Sequence, residues 1–208
     1  MRLFAAVLPP PVVLDHLERS LEVARATHPD LGAWGSLRWT PPQGRHLTLA
    51  FFGSTPQGYL PDLCEGLTAV ADGTPRLSLA LHGAGLFDRR TLWVGCTGDT
   101  EGLSGLMGRV TGVGEALLGH VDPRVRSRAH LTVARVRSRA RPAVRPRLGR
   151  TAPASDGIAD LARALAVYTG PSWVVDTIAL IASEPGAGPG GHPVHEVLHR
   201  LPLRAVAG

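Results

Sequence analysis

Two histidines and two threonines are the residues of this chain best placed to do chemistry. They stand in His46-Leu47-Thr48-Leu49-Ala50 and, 84 positions later, in His130-Leu131-Thr132-Val133-Ala134. A lone His-x-Thr is a weak signal. With 9 His and 14 Thr in 208 residues, chance alone supplies about 0.6 matches. Two copies alike over five residues are much harder to obtain by accident. An imidazole titrates near neutral pH and can give or take a proton. Two of them facing one cleft suit acid–base chemistry on a phosphodiester. One takes a proton from the attacking water and the other gives one to the leaving sugar oxygen. A threonine hydroxyl beside each can hydrogen-bond a non-bridging phosphate oxygen, and an arginine can add charge for the transition state.

Rival chemistries lack their residues. A metal site wants a carboxylate near the histidines. There is no HExxH, and no Asp or Glu falls within four positions of His46 or His130. No GxSxG marks a serine hydrolase. No Walker loop or dinucleotide fingerprint occurs, and the glycine-rich stretch 186–191 matches neither. Cys64 and Cys96 form no zinc pattern and read as two reduced, buried thiols. No metal or cofactor is therefore expected.

The elements that must carry these side chains follow from the pattern around them. Both motifs sit in short apolar runs, Leu47 to Phe52 and Leu131 to Val136, which favour strands. Alternation then puts His46 and Thr48 on one face and Leu47 and Leu49 on the other; His130 and Thr132 repeat this against Leu131 and Val133. Further strands are expected at Leu3–Leu8, Arg38–Thr40, Leu77–Leu81, Leu86–Phe87, Thr91–Cys96, Trp173–Ser183 and Val194–Leu203. Helices are expected after Pro9-Pro10-Pro11 to about Thr27, then at Leu60–Ala71, Leu103–Leu118 and Ile158–Tyr168. Residues 138–155, rich in Arg, Pro, Ala and Ser, read as a mobile connection. Interleaved helices, crossovers and hairpins imply an α+β fold with mixed sheets.

Net charge is +5 and the isoelectric point about 10.4, which suits a polyanionic partner. Every basic residue is Arg and no Lys occurs, a pattern of GC-rich coding. The clustering is more telling than the total. Arg124, Arg126, Arg128, Arg135, Arg137, Arg139, Arg141, Arg145, Arg147 and Arg150 surround or follow the second motif. Two readings stand: a solvated surface loop, or an RNA- or phosphate-binding rim beside the cleft. The first apolar run is too short for a signal peptide and none approaches a membrane span, so a cytoplasmic protein with no membrane contact is expected.

The paired His-Leu-Thr-aliphatic motifs resemble those of the two-histidine (2H) phosphoesterase superfamily, and within it the RNA 2',3'-cyclic phosphodiesterases, also called 2'-5' RNA ligases. The resemblance covers nearly the whole chain. It includes Met1-Arg2-Leu3-Phe4-Ala5-Ala6, Arg38-Trp39-Thr40-Pro41-Pro42, Phe51-Phe52-Gly53, His130 to Arg135, Trp173 to Asp176 with Leu180 and Ser183, Glu196-Val197-Leu198, and Leu201-Pro202-Leu203. It implies one domain over 1–208 made of two lobes, each giving one His-x-Thr strand. It implies two mixed or antiparallel sheets, helices packed outside, and a central groove on a pseudo-twofold. It further implies metal-independent hydrolysis of a 2',3'-cyclic phosphate on RNA or oligonucleotide ends to a 2'-phosphomonoester, by a monomer. The alternatives are RNA ligation, hydrolysis of another cyclic phosphate, or binding of RNA ends without catalysis. By this resemblance His130 is the base and His46 the acid; Thr48 and Thr132 hold the phosphate, and Arg135 assists. Strand parity puts Arg135 on the wrong face relative to His130, so it needs a bulge to reach the groove. The family commonly has Pro where Ala129 stands and Tyr where His195 stands.

Overall fold

The computed structural model describes residues 1–27, 37–119, 129–136 and 154–205. Along the chain lie β1 (Arg2–Val7), α1 (Pro11–Ala26), β2 (Leu37–Trp39), β3 (Leu47–Ser54), α2 (Leu60–Asp72), β4 (Leu77–Phe87), β5 (Thr91–Gly98) and α3 (Thr100–Leu118). Then come β6 (Leu131–Val136), α4 (Ala154–Ala164), β7 (Thr169–Val175), β8 (Thr177–Glu184) and β9 (Val194–Pro202). Within the Arg-rich run only Arg135 falls among the described residues. The mobile connection expected at 138–155 lies outside them except for its last two positions, which open α4.

The nine strands form one sheet in the order β7-β4-β5-β6-β3-β1-β8-β9, with β2 also paired to β6. Every ladder is antiparallel. Of the expected two mixed or antiparallel sheets, the antiparallel pairing is observed, and the number is corrected to one continuous curled sheet. The only parallel pairing recorded among the described residues is an isolated bridge, Pro75 to Arg204. The two motif strands, β3 and β6, meet at a single rung, Leu47 against Leu131. The sheet also curls. β7 lies at one end and β8 next to the other end, yet only Asp176 separates them in the chain. Two virtual bonds of about 3.8 Å cannot span an open sheet of this width. The long strand expected from Trp173 to Ser183 is therefore two strands broken at Asp176, whose carbonyl accepts from the Leu203 amide.

Helices cover the outer face. α1 and α4 pack on the half containing β7, β4 and β5; α2 and α3 pack on the half containing β3, β8 and β9. α1 begins at Pro11, where the absent amide hydrogen costs nothing, and buries Val13, Leu17, Leu21 and Ala24 at helical spacing. α3 forms despite five glycines because Leu103, Leu106, Met107 and Val110 keep one buried stripe. Gly66 of α2 also lets Val113 close in, since a Cβ there would lie 2.7 Å from its Cγ1. Leu47, Leu49, Leu131 and Val133 enter this helix-covered core fully buried, which fixes strand parity. Each such side chain contributes about 1.5–3 kcal/mol. The concave face carries a smaller apolar cluster, Phe4, Ala6, Ala179 and Ile181.

Gly83 and Gly85 do not end β4. Gly83, at φ +63°, makes a bulge, and the strand continues to Phe87. Gly85 gives room to Trp93 on the neighbouring strand, whose ring a Cβ would meet at 2.4 Å. Both cysteines are free and half-buried, and burial pushes each thiol up. Among the described residues no helix is long and apolar enough to cross a membrane.

Candidate active site

The single rung between Leu47 and Leu131 decides the geometry of the site. Continuing that antiparallel register by one residue each way sets His46 opposite Thr132 and Thr48 opposite His130. Both leucines point into the core, so all four polar side chains face the groove. His46, Thr48, His130 and Thr132 do line one groove of about 900 Å³ on the concave face. The face expected from alternation is the face observed, and the two histidines come from opposite halves of the sheet.

Arg135 also reaches the groove. The bulge it needs is present: β5 pairs Leu92 with Ala134 and Trp93 with Thr132, so Val133 is skipped. That one extra residue returns Arg135 to the face of Thr132. The first motif does the same, since β1 pairs Ala5 with Ala50 and Ala6 with Thr48, skipping Leu49. Phe51, the counterpart of Arg135, is thereby turned into the groove as well.

Each histidine leans on a phenylalanine. Phe4 lies 4.7 Å from His46 and Phe87 lies 4.7 Å edge-on from His130, centroid to centroid. Phe87 stacks on Trp93 at 5.2 Å. These rings restrict both imidazoles to the groove side. His46 is held down to a pKa of about 4, by burial first, then by repulsion from His195, His130 and Arg135; a hydrogen bond to the Gly44 backbone opposes the shift. It is therefore neutral at pH 7. Partial desolvation, then the Arg38 guanidinium, lower Arg135 from its ordinary value; it remains a cation.

The segment before His46 is anchored from behind. Arg45 is buried and pairs with Glu18 of α1, while its Nε donates to the Thr40 carbonyl at 3.1 Å. Glu18 also accepts from Arg25 at 2.5 Å, and Arg25 lies 4.2 Å over the Trp39 ring. Through Glu18, α1 thus fixes both the end of β2 and the entry to β3.

Several groove residues were not singled out as site residues from sequence. Arg38 lies directly opposite Arg135 across β2 and β6 and donates to the Gly191 carbonyl at 2.9 Å. The glycine-rich loop between β8 and β9 lines the groove too. His195 stands 5.2 Å from both His46 and Phe4. Alternation along Leu3–Val7 could have placed Phe4 opposite the core, and carrying the repeat one residue further would have paired Phe51 with Arg135. No local signal marks Arg38 or His195. No Asp or Glu lines the groove among the described residues. Nor, among them, do three His, Cys, Asp or Glu side chains gather as a metal site would require.

Comparison with known proteins gives the same picture. The LigT like Phosphoesterase family matches residues 13–93. A curated RNA 2',3'-cyclic phosphodiesterase of Geobacillus stearothermophilus is 45% identical over 53 residues, covering 26% of this chain and 17% of that protein's length. The crystal structure of TT0787 of Thermus thermophilus shares the fold at a TM-score of 0.70 and 27% identity, covering 99% of both chains. That of Escherichia coli LigT in apo form follows at 0.65 and 23%, covering 97% of this chain and 96% of that one. With its paired His-x-Thr strands meeting at one rung, the chain is similar to the LigT like Phosphoesterase family over residues 13–93 and shares the fold of TT0787 over nearly its whole length.

Proposed function

We propose that this protein is an RNA 2',3'-cyclic phosphodiesterase that works without a metal ion. The observation that carries the reading is the convergence of His46, Thr48, His130 and Thr132 on one groove that is cationic and free of lining carboxylates among the described residues. The cyclic phosphate sits between the two imidazoles, its non-bridging oxygens on the Thr48 and Thr132 hydroxyls, with Arg135 adding charge. His130 takes a proton from water as the water oxygen bonds to phosphorus. The P–O3' bond breaks, and His46 gives its proton to the leaving O3'. The products are a 2'-phosphomonoester and a free 3'-hydroxyl.

His46 must be protonated for this role, and its burial beside His195, His130 and Arg135 keeps it neutral at pH 7. The substrate's negative charge offsets the repulsion from His195, His130 and Arg135, so binding and proton uptake by His46 are coupled.

Incubating the protein with a nucleoside 2',3'-cyclic phosphate and identifying the product tests the reading. Accumulation of the 2'-phosphate supports it. Tight binding with no hydrolysis makes the protein an RNA-end binder instead.

A further inference from the structure

The groove extends past His46 along a row of side chains that the His-x-Thr motifs do not include. Arg2 of β1 pairs with Ser183 of β8, and Ser183 pairs with His195 of β9. Residues directly opposite in adjacent strands share a face, and neighbouring strands lie about 4.8 Å apart. Arg2, Ser183 and His195 are therefore consecutive rungs on the concave face, and all three line the groove. The row starts beside the reaction centre, since the His195 ring is 5.2 Å from that of His46. Phe4, 5.2 Å from His195, forms the floor between them. No carboxylate pairs with Arg2 among the described residues, nor does any side chain there bond the Ser183 hydroxyl.

A guanidinium, a hydroxyl and an imidazole in one row offer N–H and O–H donors and no anion of their own. That set suits a tetrahedral oxyanion. The charged and titratable groups facing the same groove are Arg38, Arg135, His46, His130 and His192. None is acidic, so nothing among them competes for the donors.

We infer that Arg2, Ser183 and His195 form a second phosphate subsite, which takes the 5'-phosphate of the nucleotide whose cyclic phosphate is cleaved. In RNA that group is the link to the preceding nucleotide. This rests on the phosphodiesterase reading above. The subsite makes the enzyme selective for a terminus within a chain over a free nucleoside cyclic phosphate.

Two probes differing by one group test it: adenosine 2',3'-cyclic phosphate with and without a 5'-phosphate. A charge-assisted contact predicts a kcat/KM roughly tenfold or more higher for the 5'-phosphorylated probe. Arg2→Gln brings that ratio down towards one, and Ser183→Ala lowers it less. Arg2→Gln also reduces the slope of log Kd against log salt for this probe by about 0.7–1. Arg2 is exposed, so the variant folds, which its melting temperature checks.

A ratio near one in the parent protein overturns the inference. So does a ratio that Arg2→Gln leaves unchanged, or one lost in Arg38→Gln and kept in Arg2→Gln, which puts the 5'-phosphate by β2 instead. If the parent hydrolyses neither probe, the phosphodiesterase reading has failed. Equilibrium titration with the same two probes then decides the subsite: tighter binding of the 5'-phosphorylated one, lost in Arg2→Gln, supports it, and equal binding overturns it.

Discussion

Replacing Glu18 by Ala should unsettle the active site from behind. Arg45 is only 2% exposed and keeps its charge. Without Glu18 it retains the bond from Nε to Thr40, and Nη2 loses its carboxylate partner. Removing one partner of a buried pair costs about 3–5 kcal/mol, because the other charge is left uncompensated. The Glu18 side chain is 26% exposed, so water can partly replace it, and the lower end, about 3 kcal/mol, is expected. For a chain of this size each kcal/mol shifts the melting temperature by roughly 2–4 °C, giving a drop of roughly 6–12 °C.

The same pair sets a pH dependence. Burial alone would raise the Glu18 carboxyl, but hydrogen bonds from Arg25 and Arg45 outweigh it and hold it below the usual range. A folded-state value below the unfolded one means stability is present above the ordinary carboxylate range and lost as pH falls through the lowered value. The gap between parent and Glu18→Gln should therefore close in acid. Thermal melts from pH 3 to 8 read both effects. Glu18→Leu combined with Arg45→Met should recover most of the loss, since an apolar pair leaves no buried charge. A loss under about 1 kcal/mol in Glu18→Ala would refute the reasoning, for it would mean Arg45 finds water or another acceptor.

His46→Ala and His130→Ala should each lower turnover of a nucleoside cyclic phosphate by ~2–4 orders of magnitude, whereas Thr48→Val or Thr132→Val should cost about tenfold, each removing one hydrogen bond from a phosphate with other partners; near-normal turnover in either histidine variant would rule out the two-histidine mechanism. The pH profile of kcat/KM, which reports the free protein, should have its lower limb near 4, where His46 titrates. In kcat that limb should move up, because bound substrate offsets the cationic neighbours; a lower limb at the same pH in both profiles would contradict this electrostatic picture. Turnover should survive a strong chelator, and loss of activity restored by adding a divalent ion would overturn the metal-free reading.

The parts of the site that sequence exposes are those governed by alternation. Leu47 and Leu49 had to enter a core, so His46 and Thr48 had to leave it, and the same held at His130 and Thr132. What stayed hidden depends on which strands become neighbours. Arg2, Ser183 and His195 are separated by 181 and 12 positions, and only the β1–β8–β9 register aligns them. Arg38 meets Arg135 through a three-residue strand whose partner is nearly a hundred positions away. The break at Asp176 was invisible for a related reason: Trp173 to Ser183 is uniformly strand-like, and only the curl of the sheet requires it to leave one edge and join the other half.

The repeat itself explains why the groove is not symmetric. Both motif strands bulge at the same place, Leu49 in one and Val133 in the other, and in both the bulge turns the residue two positions on into the groove. A twofold scaffold thus offers two equivalent places beside the scissile phosphate. They are filled differently, by Phe51 in one copy and Arg135 in the other. On the phosphodiesterase reading proposed above, the substrate accounts for the difference, because a cyclic phosphate on a nucleotide has a base and sugar to one side and only charge to balance on the other. Phe51 lies 5.6 Å from Phe4, so the half that carries His46 offers two adjoining rings. The opposite half places Arg38 and Arg135 directly across from each other, like charges that repel until an anion lies between them. Exchanging the two residues, Phe51→Arg with Arg135→Phe, should then keep the fold and lose turnover. Melting curves would read the first and hydrolysis of a nucleoside cyclic phosphate the second. Retained activity in the exchanged protein would show that the two halves are interchangeable and that this account of the asymmetry is wrong.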